Sequence, residues 1–416
     1  MKILMVSLNH APEQTGIGKY QGEMAAWFAS QGHQVRAIVA PPYYPQWKVR
    51  DGYSSLFYDA EELEGVRVFR VPLYVPSKPS ALRRLVHLAS FALTSFPVLL
   101  WQALSWRPHV IVLTAPPLMC VPAVLLSGFL SRAKTHLHIQ DFEVDAAFNL
   151  GLLKRDWLHK VALKLEGRAI RAFDTVSTIS RKMLAKLHEK GAYPNAAFLI
   201  PNWANVDAFA SSTGPGTWRE GFGKEAILVV YSGNLGRKQG LETIVDAARL
   251  LQEHPAIRFV ISGDGAGRSD MEAQANGLSN ITFLPVQADN DFRHMMMAAD
   301  VHLLPQRKEA ADLVMPSKLG NILASGRPVV AGAEQGTQVY DAVQGCGIVV
   351  PPEDPNAFAD AIKKLAGDAN LRKILGDEGR RRAQKEWTKE NALRLLEAKL
   401  LDKQKILEPA INWANR

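Results

Sequence analysis

Short apolar runs, each followed by a glycine or proline turn and then by residues at helical spacing, recur along the 416-residue chain. Residues 2–8 read as a buried strand, and 17–31 place Tyr20, Met24, Trp27 and Phe28 on one face of a helix that Gly32 ends. Gln34–Ala40 is the next strand, so the chain opens with a βαβ unit. Val66–Val71, His109–Thr114, Thr135–Ile139, Thr175–Ile179 and Phe198–Ile200 continue the series, with helical spacing between several of them. A composition shift over 204–224 reads as a linker or domain-entry segment. A second series follows: Ala226–Ser232, the turn 233–240, a helix over Leu241–Gln252, then strands at Arg258–Ser262, Ile281–Leu284, Val301–Leu304, Pro328–Ala331 and Gly347–Val350. The pattern predicts an α/β chain with two doubly wound, mostly parallel sheets. Its expected division is residues 1–205, 206–390 and an amphipathic C-terminal stretch, 391–416, that returns to the first domain. In such a pair, turns at the carboxyl ends of the strands are expected to face a shared cleft.

Two segments break the alternation. Residues 85–106 contain no Asp, Glu, Lys or Arg, and 108–131 are similarly free. Length alone allows a membrane span. Pro97, Gln102 and His87 inside the first segment, and the strand-like run after it, favour a helix lying on a sheet, with a bilayer-facing surface beside Arg83 and Arg84 as the alternative.

Composition, 47% hydrophobic and 22% charged, is that of a globular chain. Cys120 and Cys346 alone make neither a disulfide framework nor a zinc cluster. A reducing cytoplasm fits, and the N-terminus lacks the layout of a signal peptide. Net charge is +8, but residues 1–205 carry +9 and the remainder −1. A basic half meets phosphate, anionic lipid or nucleic acid, or is simply solvated. The scattered cations and the lack of a nucleic-acid motif disfavour the third partner.

The stretch PEQTGIGKYQGEM, residues 12–24, is a glycine turn at a helix start. It fails as a Walker loop, with Glu13 at the first glycine position and Tyr20 at the hydroxyl position. It fails as a dinucleotide fingerprint, with Gln21 at the third glycine. There remains a turn that brings backbone N–H groups to an anion or sugar, or one with no ligand at all.

Ile200-Pro-Asn-Trp-Ala-Asn-Val-Asp-Ala-Phe209, the turn Ser232–Leu241, Pro316-Ser-Lys-Leu through Val330, and Gly347–Asp354 resemble glycosyltransferase family 4, of GT-B fold, in the right order over nearly the whole chain. Thr15–Tyr20, Ala40–Trp47 and His138–Asp145 resemble the family's bacterial exopolysaccharide enzymes. The resemblance implies two Rossmann-like domains, the first for acceptor and the second for nucleotide-sugar. It also implies retaining transfer of a sugar, fucose from GDP-fucose, to an undecaprenyl-diphosphate-linked acceptor at the cytoplasmic face of the inner membrane. No metal or other cofactor is implied.

Leaving diphosphate requires cations and N–H dipoles. Lys318 fits, with Arg237 and Lys238 in the glycine turn. On the family's G-R-x-x-x-x-K-G pattern, however, Asn234 and Gln239 occupy the basic positions. The resemblance further implies donor contacts from Gly16, Gly18, Gly233, Gly263, Val286, Leu319 and Asn321, the last standing where the family has a glutamate. Leu313 replaces the other glutamate of the pair, leaving Glu309 or Asp312 to approach the transferred sugar. On the acceptor side, Gln140-Asp141 replaces a His-Asp pair, and Thr15, Gln140 and Asn202 are expected contacts. Asp141 is the leading polar contact. His138 is either a catalytic base or a hydrogen-bonded core histidine. Rival readings are a nucleotide-sugar 2-epimerase and a sugar-nucleotide-binding protein without turnover.

Overall fold

The computed structural model describes residues 1–401 except 14–15, 78–79, 143–155, 205, 211–215, 224, 237–238 and 309–316. The chain divides into two compact units: 1–201 together with the segment from Leu393, and Asn202–Ala392.

The first unit is built on an eight-stranded sheet of order β3-β4-β2-β1-β5-β6-β7-β8. The strands are β1 (Lys2–Ser7), β2 (Gln34–Val39), β3 (Asp59–Leu63), β4 (Val66–Arg70), β5 (Val110–Ala115), β6 (Lys134–Ile139), β7 (Thr175–Thr178) and β8 (Ala197–Leu199). All pair in parallel except β3, which runs antiparallel to β4. That strand is absent from the sequence expectation because Asp-Ala-Glu-Glu-Leu has no apolar alternation. Its turn, Glu64 and Gly65 at φ 48° and 77°, is the two-residue kind that a hairpin needs.

Helix α1 (Gly16–Ser30) carries the chain from β1 to β2. Helix α2 (Ala81–Trp101), extended by a π-helical turn at Gln102–Trp106, and α3 (Val121–Ser131) carry it the other way across the sheet. Right-handed crossovers therefore put α2 and α3 together on the face opposite α1. Phe91 and Leu99 of α2 join Leu4, Ile38, Ile111 and Leu113 of the strands in one buried core.

The second unit holds an all-parallel sheet of order β11-β10-β9-β12-β13-β14. Its strands are β9 (Ile227–Ser232), β10 (Ile257–Ser262), β11 (Ile281–Leu284), β12 (Val301–Leu304), β13 (Val329–Gly332) and β14 (Gly347–Val350). Leu228 and Val230 face one core while Val229 and Tyr231 face the other, as the two-residue period demands of a sheet covered on both sides. Helix α4 (Ser317–Ala324) precedes β13 and lays Leu319, Ile322 and Leu323 on the first of these cores. The last described helix, α5 (Lys389–Leu400), begins in the second unit and continues in the first, where Glu397 Oε1 accepts from His33 Nε2 at 2.7 Å.

Candidate active site

In parallel sheets, glycine turns and helix N-termini gather at the carboxyl ends of the strands. In the first unit the loop after β1 ends on Glu13, whose buried carboxylate is fully used. Oε1 accepts from the amides of Tyr43 and Tyr44 at 3.0 and 2.9 Å, and Oε2 from Asn9 Nδ2 at 2.9 Å. Burial pushes its pKa up, opposed by those hydrogen bonds. Gly18 packs on this carboxylate: a Cβ there would lie 2.5 Å from Glu13 Oε2 and 3.2 Å from His10 O. Its lack of a side chain thus makes room for Glu13, a reason for glycine here that needs no diphosphate. Gly16 differs. It opens α1 at φ +60°, is exposed, and among the described residues has only Tyr44 Cε1 near its missing Cβ, at 3.5 Å. Thr15 lies outside the described residues.

At the end of β6, the cross-strand pairs His136 with Thr175 and His138 with Ser177 form one buried chain. His136 Nδ1 meets Thr175 Oγ1 at 2.8 Å and its Nε2 meets Ser177 Oγ at 2.9 Å. His138 Nδ1 meets the same Ser177 oxygen at 2.8 Å, and Gln140 Nε2 donates to His138 Nε2 at 2.9 Å. Burial lowers the pKa of His136 to about 3 and of His138 to about 4. A general base needs a lone pair open to the acceptor. Both ring nitrogens of His138 are occupied, as they would be in a hydrogen-bonded core histidine. Gln140 is buried and Asp141 exposed just beyond the strand.

In the second unit, Gly233 follows β9 at φ +145° and Gly263 follows β10 at φ +150°. The two turns touch: a Cβ on Gly263 would stand 1.9 Å from Gly233 O, and one on Gly265 2.5 Å from Asn234 Oδ1. Lys318, in the first turn of α4, reaches over this floor. Its Nζ donates to Tyr231 Oη at 2.9 Å, lies 4.2 Å from the centre of the Tyr231 ring, and stands 3.5 Å from where a Gly233 Cβ would be. Tyr231 Oη in turn donates to Asn234 O at 2.9 Å. Among the described residues no carboxylate lies in salt-bridge distance of Lys318, and desolvation lowers its pKa to about 7. A cation held this way over a glycine turn is primed for an anion.

Lys318, Gly233, Asn234 and Gly263 are brought together, while the Leu319 side chain is fully buried in the apolar core, which leaves only its backbone to meet a donor. Asn321 is partly exposed on α4, Val286 is exposed after β11, and Asn202 opens the second unit. Arg237, Lys238, Glu309 and Asp312 lie outside the described residues. Sequence reasoning missed Tyr231, which reads as one more apolar strand position. It also missed Glu13, whose signal was an acid inside a glycine turn.

Residues 15–203 match the family model described as glycosyl transferase 4-like domain, and 217–382 match glycosyl transferases group 1. The chain is 42% identical over 406 residues to the Escherichia coli (strain K12) glycosyl transferase WcaI, whose name ties it to colanic acid biosynthesis; the match spans 95% of this chain and 98% of that one. The chain belongs to glycosyltransferase family 4. This glycosyltransferase is also 25% identical to a Mycobacterium tuberculosis (strain H37Rv) protein named as a GDP-mannose-dependent phosphatidylinositol monomannoside mannosyltransferase, over 93% of this chain and 94% of that one. Its fold is GT-B. Sucrose-phosphate synthase from Thermosynechococcus elongatus superposes with a TM-score of 0.70 at 20% identity, covering 97% and 98% of the two chains. Anabaena HepE, solved with UDP, gives 0.68 at 15%, covering 97% and 100%.

Proposed function

We propose that this glycosyltransferase moves fucose from GDP-fucose to an undecaprenyl-diphosphate-linked saccharide, with retention at the anomeric carbon, in the building of a colanic-acid-like exopolysaccharide at the cytoplasmic face of the inner membrane. The observation that carries the transfer chemistry is Lys318 above the Gly233–Gly263 floor. The likeness to WcaI over nearly the full length of both chains supports the pathway. The mycobacterial relative's name, which pairs a GDP-sugar with a lipid acceptor, supports the two substrate classes.

In this reading the bond between the anomeric carbon and the diphosphate oxygen breaks as the acceptor oxygen bonds to that carbon. Charge grows on the departing oxygen, where the Lys318 ammonium and the turn amides stabilise it, each well-placed donor by roughly 2.7 to 4 kcal/mol. Arg237 and Lys238 add cations by resemblance, Asn321 meets ribose hydroxyls, and Glu309 or Asp312 approaches the sugar. The acceptor proton passes to the leaving diphosphate, so no separate base is required, in keeping with a His138 whose ring is already bonded. Asp141 and Gln140 orient the acceptor, and the exposed Gly16 turn at the N-terminus of α1 meets a diphosphate. The reading assigns no step to a metal or other cofactor.

The test is a screen of GDP- and UDP-sugars against lipid-linked saccharides, read by mass spectrometry. Transfer requires both substrates and releases GDP in step with glycosylated lipid. Donor isomerised without acceptor marks an epimerase, and binding without turnover marks the non-catalytic reading.

A further inference from the structure

Helix α2 packs Phe91 and Leu99 on the sheet, yet it also turns polar residues inward and large apolar ones outward. Three of its polar residues face the protein: His87, Ser95 and, at the start of the π-helical turn, Gln102 are 2%, 0% and 0% exposed. They are bonded there, His87 to Tyr74 O and Tyr43 Oη, and Gln102 Oε1 to Arg36. Several of its large apolar residues face outward: Leu82, Leu93, Trp101 and Leu104 are 70%, 75%, 53% and 59% exposed. Adjacent α3 repeats the arrangement, with Ser127 buried and Phe129 81% exposed. Tyr58 Oη donates to Thr94 O at 3.1 Å, which brings the exposed Leu56 and Phe57 of the preceding loop beside the same face. Soluble surfaces rarely carry an apolar patch of this extent without a partner.

Charge identifies the partner. From Gly65 to Gln140 the chain has no Asp or Glu and carries eight Lys and Arg. Arg83 and Arg84 stand exposed in the first turn of α2, Arg107 follows the π-helical turn, and Arg132 follows α3. Beside Phe129 and Leu130, a hollow of about 670 Å³ is bordered by Arg132, Lys134 and Asp174, whose carboxylate accepts from the Thr135 amide and hydroxyl. Apolar side chains ringed by cations match an anionic lipid interface, with rings and aliphatics entering the acyl boundary while cations meet headgroup phosphates. The span Leu82–Trp106 is long enough to cross a membrane and holds an 18-residue stretch with a mean hydropathy of 1.4, but its bonded inward polar groups require it to stay against the sheet.

We infer that α2, α3 and the loop at 56–58 form one docking face that lies in the plane of an anionic phospholipid surface. This deepens, and rests on, the membrane-facing acceptor reading above. The face is wired to the loop that precedes Gly16. Arg84 lies over the Trp47 ring at 5.5 Å, His87 bonds the Tyr43 hydroxyl at 3.1 Å, and the Tyr43 amide is held by Glu13. Docking therefore fixes the height of the Gly16 turn above the lipid.

The test is flotation of the full chain with vesicles of phosphatidylcholine alone or with about a third phosphatidylglycerol. The expected result is binding to the anionic vesicles only. It weakens about tenfold in high salt or in R83E/R132E, and at least about tenfold in L93E/F129E. Both variants are expected to keep their circular-dichroism melts and their transfer to a short-chain, water-soluble acceptor. Equal binding to both vesicle types, or L93E/F129E binding like the parent, overturns the inference. So does a dimer that L93E/F129E splits, which would assign the face to a second copy. Loss of transfer to the soluble acceptor with vesicle binding intact counts instead against the transferase substrates.

Discussion

Lys318 is the residue on which the chemistry turns, and its environment sets its pH behaviour. Desolvation holds its pKa at about 7, below the ordinary 10.5, so folding disfavours the ammonium. That penalty is complete below pH 7 and is relieved as pH rises from there toward the unfolded value, so the second unit gains stability across this window. A diphosphate reverses the preference. Above pH 7, binding of GDP is expected to take up a proton, seen as a buffer-dependent heat in calorimetry, and K318M is expected to lose it. Unchanged heats across buffers would rule out this role for the ammonium. At Gly18, a methyl group meets the Glu13 carboxylate, and G18A is expected to cost about 1–3 kcal/mol in urea unfolding. E13A, which strands the Tyr43 and Tyr44 amides, is expected to cost a similar amount, about 1–3 kcal/mol. Lys318 was legible in the sequence because a lysine opening a helix beside proline and serine has a recognisable setting. The reason for Gly18 was not, since a glycine's purpose depends on a neighbour that only the folded chain supplies.

At the scale of elements, strands with continuous apolar runs were legible because a sheet covered on both faces demands them. β3 was not, being an edge strand whose polar residues answer to pairing alone. The β6 ladder carries a pH prediction of its own. His136 and His138 stay neutral when folded, with pKa values near 3 and 4, while the unfolded chain takes up protons at about 6.5. Their contribution is present above pH 6.5 and is lost as pH falls toward 4, at up to about 1.4 kcal/mol per pH unit for each ring. Urea midpoints measured from pH 7 to 5 are expected to fall less steeply in H136N/H138N than in the parent. The apolar content of α2 was visible in the sequence, whereas its orientation was not. Helical spacing shows which residues share a face but not which face meets the sheet, and here the bonded His87 and Gln102 decide it.

For the whole molecule, a parallel-sheet α/β fold in two units leaves its glycine turns at the strand ends, and the sequence relatives make it a glycosyltransferase. The general plan was readable because both series of strands announce themselves by the same spacing. Donor and acceptor identity was not, because base and sugar are recognised largely by backbone and shape. The polarity of the chain is uneven in a way that composition alone understates: large exposed apolar side chains concentrate in the first unit, where the cations also exceed the acids. The most direct measurement is single-turnover transfer of labelled fucose from GDP-fucose to undecaprenyl-diphosphate-linked saccharide, parent against K318A, alongside the dissociation constant of the intact donor. If Lys318 steadies the departing diphosphate, K318A slows the chemical step by about 10²–10³-fold while donor affinity falls far less. A K318A protein that transfers fucose at the parental rate would contradict that assignment.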